Sequence, residues 1–288
     1  MEHTPLKLDG RKAQEVLTEK LRARIKNLPI YPKLVIFQIG DSQSSSVYVQ
    51  RKVSFGKSIG VFVEVISVEV NITQEELMSL VEKYNELQDV QGIILQLPVP
   101  LHIDEKAVIR AISPEKDVDG LHPFNMGILA SGDSSGLISA TAKGILELLL
   151  FYKIEISGKR IAVVGRSNLV GRPLALLLLA HNATVTIAHS KTKNLESITS
   201  ENEIVITAVG KPGLITKNHL RNGAVVVDVG TTTISNAGKN ILVGDVVFDE
   251  VLGKVSAISP VPGGVGPMTV LSLFSNLIHA CEKSCKNI

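Results

Sequence analysis

Short apolar runs recur along the chain, each separated from the next by a helix-length segment, and this alternation constrains the fold more than any other feature. Residues 34–39 read Leu-Val-Ile-Phe-Gln-Ile and residues 91–95 read Gln-Gly-Ile-Ile-Leu. Further runs occupy 160–165, 184–188, 204–209 and 224–229, with a weaker one at 254–258. Runs this short and this rich in Val and Ile read as strands buried on both faces. Between them, apolar residues repeat at helical spacing, as Leu17, Leu21 and Ile25 do over 9–27. Helices are likewise expected over 44–58, 73–87, 141–152, 174–180 and 267–285, the last with Pro267 in its first turn, where a missing N–H costs nothing. Residues 62–70 alternate as a strand does. Strand and helix in regular succession require crossover connections, so the fold class is α/β with a mostly parallel sheet.

The length, 288 residues, favours two domains. The Gly/Ser-rich stretch 131–136 is the natural linker. It divides an N-terminal α/β domain, 1–136, from a C-terminal Rossmann-type doubly wound domain, 137–288, with a cleft between them and helix 267–285 able to pack back on the first domain. With 30 Lys and Arg against 28 Asp and Glu, the net charge of +2 provides no basic field for nucleic acid or an anionic membrane. No apolar run approaches the roughly 18 residues of a membrane span. The opening Met-Glu-His-Thr-Pro has no apolar segment of the signal-peptide kind. A cytoplasmic location is therefore expected. Cys281 and Cys285 stand four apart with no second pair, so they read as reduced thiols and no metal site is expected.

Three segments carry chemistry. The first, Gly-Arg-Ser-Asn-Leu-Val-Gly over 165–171, follows an apolar strand and opens a helix, where glycines let the backbone approach a pyrophosphate. It is not the G-x-G-x-x-G pattern, since Ser167 stands at the second glycine, and a plain strand-to-helix turn is the alternative. The next strand ends in His-Ser-Lys-Thr-Lys over 189–193, with no acid to take a ribose 2′-hydroxyl. Together with Arg166, Lys191 and Lys193 favour NADP over NAD; a solvated basic turn is the bland alternative. The second segment combines Tyr48 and Lys52, one helical turn apart, with Gln96 at a strand end and Asp119 in the turn Asp-Val-Asp-Gly over 117–120. For the acidic turn a capping role is the competing reading. The third is the loop 260–267, three glycines and three prolines within eight residues. It is shaped to meet an anion or a planar ligand, or else serves as an interdomain turn.

Together these segments resemble the bifunctional methylenetetrahydrofolate dehydrogenase / methenyltetrahydrofolate cyclohydrolase family along nearly the whole chain. The resemblance rests on 48–52, 96–98, 117–120, 165–173, 189–192 and 260–269, of which 262–269 is the most specific. It implies NADP-dependent oxidation of 5,10-methylenetetrahydrofolate and hydrolysis of the methenyl product to 10-formyltetrahydrofolate, in a homodimer serving one-carbon metabolism and purine biosynthesis. By matching position, Lys52 is the catalytic lysine, Tyr48 stacks on the folate, Gln96 supports Lys52 and Asp119 holds the pterin. Leu97, Pro98, Pro262, Gly263, Gly264, Val265, Gly266 and Pro267 fall where the family contacts tetrahydrofolate derivatives. Gly165, Arg166, Ser167, Ser190 and Thr231 fall where it contacts NADP. The chain departs from the family pattern in three places. Residues 139–142 read Ser-Ala-Thr-Ala where Pro-Cys-Thr-Pro is usual, Ser54 replaces a second lysine, and Ser259 replaces a threonine. The competing readings are a monofunctional dehydrogenase, a shikimate-dehydrogenase-like oxidoreductase, and a folate- or NADP-binding protein without turnover.

Overall fold

A computed structural model of the chain describes residues 4–40, 43–133, 135–236 and 239–286. In chain order the elements are β1 (Leu6–Lys7), α1 (Gly10–Lys26), β2 (Lys33–Ile39), α2 (Gln43–Ile59), β3 (Phe62–Val68), α3 (Gln74–Glu86), β4 (Gly92–Leu95), α4 (Glu105–Ala111), α5 (Pro123–Ala130), α6 (Ala140–Phe151) and β5 (Arg160–Val164). They continue with α7 (Gly171–Ala180), β6 (Thr184–Ala188), α8 (Leu195–Ser200), β7 (Ile204–Thr207), β8 (Ala224–Asp228), β9 (Thr232–Asn236), β10 (Lys239–Val243), α9 (Phe248–Val251), β11 (Val255–Ile258) and α10 (Val265–Lys286). The chain forms two compact units, one of residues 16–140 and 270–288, the other of residues 1–15 and 141–269. The division expected at 136/137 lies beside the crossing at 140/141, and the two chain ends group across it. Asp41, after the first long strand, and Ser134, in the expected linker, lie outside the described residues.

The first unit holds a parallel three-stranded sheet in the order β3-β2-β4. Val35, Phe37, Ile93 and Leu95 of the sheet pack with Leu77 and Val81 of α3 and Val108 of α4. The rings of Tyr84 and Phe37 meet edge to face, their centroids 5.4 Å apart. α3 starts where Thr73 and Glu76 cap each other's backbone. The last helix enters the same unit. A Cβ on Gly92 would come within 2.7 Å of Leu277, and one on Gly56 within 3.0 Å of the Phe274 ring, so these glycines admit α10 against sheet and helix.

The second unit is a six-stranded, all-parallel sheet in the order β1-β11-β8-β7-β5-β6. Its core joins Ala162, Val164, Val205, Val226 and Ile258. From β5 the chain steps out to β6 and then back across to β7, so the order reverses between β5 and β7. In open sheets, ligands bind beyond the strand ends at such a point.

The expected strand over 204–209 ends at Thr207, because the Thr207 hydroxyl and the Val209 N–H both turn to the carboxylate of Asp245. The sequence reading holds no counterpart of α4, α5 or the β9–β10 hairpin. α4 is a short helix set by its cap, Asp104, which accepts from the N–H groups of Lys106 and Ala107.

Candidate active site

Tyr48 and Lys52 share one face of α2. Lys52 Nζ donates to Gln96 Oε1 at 2.9 Å. Gln96, just past the end of β4, is 8% exposed, and its Nε2 donates to the Leu97 carbonyl at 2.7 Å. Its backbone N–H goes to the Phe37 carbonyl at 2.9 Å. The side-chain amide is therefore held at both ends, and its oxygen is left for the lysine. Burial lowers the Lys52 ammonium below its usual range, while the charge of Asp119 acts to raise it. For Asp119 burial pushes the carboxyl up, and Lys52 pulls it down. A lysine, an amide and a carboxyl drawn from a helix, a strand end and a turn thus meet in one half-buried place. Tyr48 is 40% exposed, with the Arg51 guanidinium 5.6 Å from its ring.

The capping role weighed for the acidic turn belongs to Asp117. Its carboxylate accepts from Leu121 N at 3.1 Å, His122 N at 2.8 Å and Asn125 Nδ2 at 2.9 Å. Burial nevertheless pushes it up to about 7. Asn276 Nδ2 donates to the carbonyls of Val118 at 2.9 Å and Ile138 at 2.7 Å, and Ala140 N to that of Asp119 at 3.1 Å. The Asp119 backbone is fixed by these neighbours, and its own carboxyl is left to face Lys52. Asn125 and Asn276 are the supporting residues that sequence reasoning missed, and Asp117 it read only as part of the acidic turn. A second acid two residues before Asp119 was the available signal.

In the other unit, Gly165 ends β5 with φ +131°, and a Cβ there would lie 2.6 Å from the Ala208 carbonyl oxygen. A Cβ on Gly171, at the start of α7, would lie 2.2 Å from the Gly165 carbonyl oxygen. Ser167 closes the loop on itself, its Oγ accepting from Val170 N at 3.1 Å and its carbonyl from Arg172 N at 3.0 Å. Arg166 and Ser167 remain exposed. After β6, His189 N donates to Thr192 Oγ1 at 2.8 Å and Thr192 N to the His189 carbonyl at 2.7 Å, making a tight turn with Ser190, Lys191 and Lys193 exposed. Thr231 is exposed beside the buried Gly230. Gly171→Ala therefore forces the loop to move. We expect about 1–3 kcal/mol less stability, read by urea denaturation, together with weaker binding of a nucleotide at this edge.

The loop holding Pro262, Gly263, Gly264, Val265, Gly266 and Pro267 also belongs to this second unit. It is pinned at several points. Gly10 N donates to the Gly263 carbonyl at 2.9 Å, Gly264 N to that of Pro260 at 2.8 Å, and Gln14 Nε2 to that of Pro267 at 2.8 Å. Leu97 and Pro98 follow Gln96 directly and lie in the first unit. Among the described residues no group of three or more His, Cys, Asp or Glu is placed to hold a metal ion, and no helix is long and apolar enough to cross a membrane.

Two family descriptions match the chain. Residues 8–119 match the tetrahydrofolate dehydrogenase/cyclohydrolase catalytic domain, and residues 139–285 the NAD(P)-binding domain of the same family. The bifunctional protein FolD of Lachnoclostridium phytofermentans is 45% identical over 279 residues, which covers 96% of this chain and 98% of that protein. The crystal structure of the Campylobacter jejuni bifunctional FolD methylenetetrahydrofolate dehydrogenase/cyclohydrolase superposes with a TM-score of 0.93 at 38% identity, covering 96% of this chain and 98% of that one. The Trypanosoma brucei enzyme, complexed with NADP cofactor and an inhibitor, gives a TM-score of 0.93 at 35% identity, covering 98% of this chain and 99% of that one.

Proposed function

The chain belongs to the tetrahydrofolate dehydrogenase/cyclohydrolase family, and from that membership we propose which residues carry its two reactions. It is a bifunctional enzyme. With NADP it oxidises 5,10-methylenetetrahydrofolate to the 5,10-methenyl compound, which it then hydrolyses to 10-formyltetrahydrofolate. The observation that carries the assignment of residues is the 2.9 Å contact of Lys52 Nζ with Gln96, beside Asp119.

In the cyclohydrolase reaction, water adds to the cationic methenyl carbon and gives up a proton. The neutral amine of Lys52 takes that proton, and burial makes this form accessible nearer neutrality. The carbinol O–H then gives up its proton as the ring C–N bond breaks; the departing nitrogen keeps the bonding pair and takes up a proton, and the formyl group stays on the other nitrogen. Gln96 aims the lysine, Asp119 holds the pterin, and Tyr48 offers its exposed ring as a stacking surface. Leu97 and Pro98 of the first unit are assigned to the folate, and the loop 262–267 of the second unit is separately assigned to it.

For the dehydrogenase, bound NADP supplies the hydride acceptor, and the chain supplies placement and exclusion of water. Gly165, Arg166, Ser167, Ser190 and Thr231 are assigned to the cofactor. The fit rests on two features of the edge. Gly165 and Gly171 let the backbone of the strand-to-helix turn close tightly with no side chain between, and the cations Arg166, Lys191 and Lys193 are exposed with no carboxylate in 189–193. Arg166→Ala is expected to lower the preference for NADP over NAD roughly 10-fold, read as the ratio of kcat/KM for the two cofactors. We further propose a cytoplasmic homodimer that supplies formyl groups for purine biosynthesis and has no nucleic-acid partner, in keeping with the net charge of +2. Light scattering checks the oligomeric state.

The test of the whole reading is an assay with methylenetetrahydrofolate and NADP that follows reduced cofactor and methenyl-folate together. NADPH formation, with methenyl decay faster than in enzyme-free buffer, is the expected result. Methenyl accumulating to its uncatalysed decay rate would leave Lys52 idle and overturn the cyclohydrolase assignment.

A further inference from the structure

Beneath the strand ends of the second unit lie two carboxylates that neither reaction uses. Asp245 is 0% exposed and Asp228 4%. Asp245 accepts from Lys211 N at 2.6 Å, Val209 N at 2.9 Å and the Thr207 hydroxyl at 2.9 Å. Asp228, at the end of β8, accepts from Gly230 N, Asp245 N and Val246 N, each at 2.9 Å. Two carboxylates thus gather the loop after β7, the loop after β8 and the segment returning from the β9–β10 hairpin. An ionised carboxylate suits this task because it only accepts, and its two oxygens serve several N–H groups at once.

The site leaves no slack. A Cβ on Gly244 would lie 1.9 Å from Asp228 Oδ2, and one on Gly230 would lie 2.5 Å from Asp245 Oδ1. Glycine is the residue type that lets these backbones close on the carboxylates. The loops so gathered lead to the nucleotide edge. Thr231 directly follows Gly230. The carbonyl of Ala208, one residue before the Val209 N–H held by Asp245, is the atom that a Cβ on Gly165 would strike at 2.6 Å. Any shift of 208–211 is therefore transmitted to the Gly165 loop.

We infer that Asp245, with Asp228 below it, is a positioning residue for NADP, fixing three loops of the cofactor edge through hydrogen bonds rather than by touching the cofactor. A scaffold built only for stability would be served as well by apolar packing, since buried charge is a poor source of stability. The pair stands instead at the ends of β7 and β8, beside the point where the sheet order reverses. This inference rests on the reading of residues 165–167, 190 and 231 as cofactor contacts.

The enzyme provides its own control, because cyclohydrolase turnover consumes no NADP. Asp245→Asn in the full chain puts an N–H2 where an acceptor faces the backbone donors. NADPH fluorescence titration should give a Kd weakened about 10-fold or more, while the cyclohydrolase rate on methenyl-folate stays within about 2-fold of wild type. Thr207→Val, which removes one donor to Asp245 at nearly constant volume, should weaken Kd in the same direction by a smaller factor, and it decides the matter if Asp245→Asn does not fold. An unchanged Kd, or loss of binding and cyclohydrolase in equal measure, would overturn the positioning role. Wild-type protein that fails to bind NADPH would overturn the cofactor assignment beneath it.

Discussion

Lys52→Met leaves an enzyme that still reduces NADP with methylenetetrahydrofolate but hydrolyses methenyl-folate about 10³-fold more slowly. Methionine keeps most of the apolar stem and removes the amine, so the surroundings of α2 lose little packing. What disappears is the base. Gln96 loses the donor at 2.9 Å, and Asp119 loses the cation that moderates its burial. The pH profile separates this role from a structural one. Lysine acts as a base only when neutral, so the wild-type cyclohydrolase rate should climb with pH through an ionisation below the ordinary 10.5. That limb should vanish in the variant. Full cyclohydrolase activity in Lys52→Met would remove the lysine from the mechanism.

Asp117→Ala should be the most destabilising single change in the first unit, at about 3–5 kcal/mol. It removes the acceptor for the N–H groups of Leu121 and His122 and for one of the two bonds made by the buried Asn125 amide. The turn that carries Asp119 loosens with them, so the loss should appear both in the urea midpoint and in the cyclohydrolase rate. Asp117→Asn should cost far less, because burial already brings the acid to about 7. The sign of the pH effect follows from linkage. The folded carboxyl binds its proton more tightly than the unfolded one at 3.8, so the wild type gains stability as pH falls from about 7 toward that value. Asp117→Asn lacks that contribution, and a wild-type advantage that grows with rising pH would contradict it.

The parallel sheets were legible because strands buried on both faces leave uninterrupted apolar runs, as at 34–39 and 224–229. The regions missed were those without that signature. α4 owes its start to the single side chain of Asp104, and among the described residues the strands β9 and β10 form a two-stranded sheet of their own. Lys52, Gln96 and Asp119 stood out as polar groups on a helix face, a strand end and a turn. Periodicity does not tell Asp117 from Asp119, since both sit in one acidic turn and only the folded backbone turns the first inward to its donors. Asp228 and Asp245 were invisible for a different reason. In sequence each closes or follows a strand like many turn acids, and their partners come from segments up to 38 residues away.

The strand β1 pairs with β11, Leu6 beside Ala257 and Lys7 beside Ile258. β1 therefore cannot be seated until β11, far later in the chain, has been made. The other unit waits too, since Asn276 and Phe274 enter it only from α10. Neither unit is one contiguous stretch of chain, so severing the polypeptide at 136/137 would yield two fragments each missing part of its interior. Both units stay open until β11 and α10 are in place, which makes folding long-range and correspondingly slow.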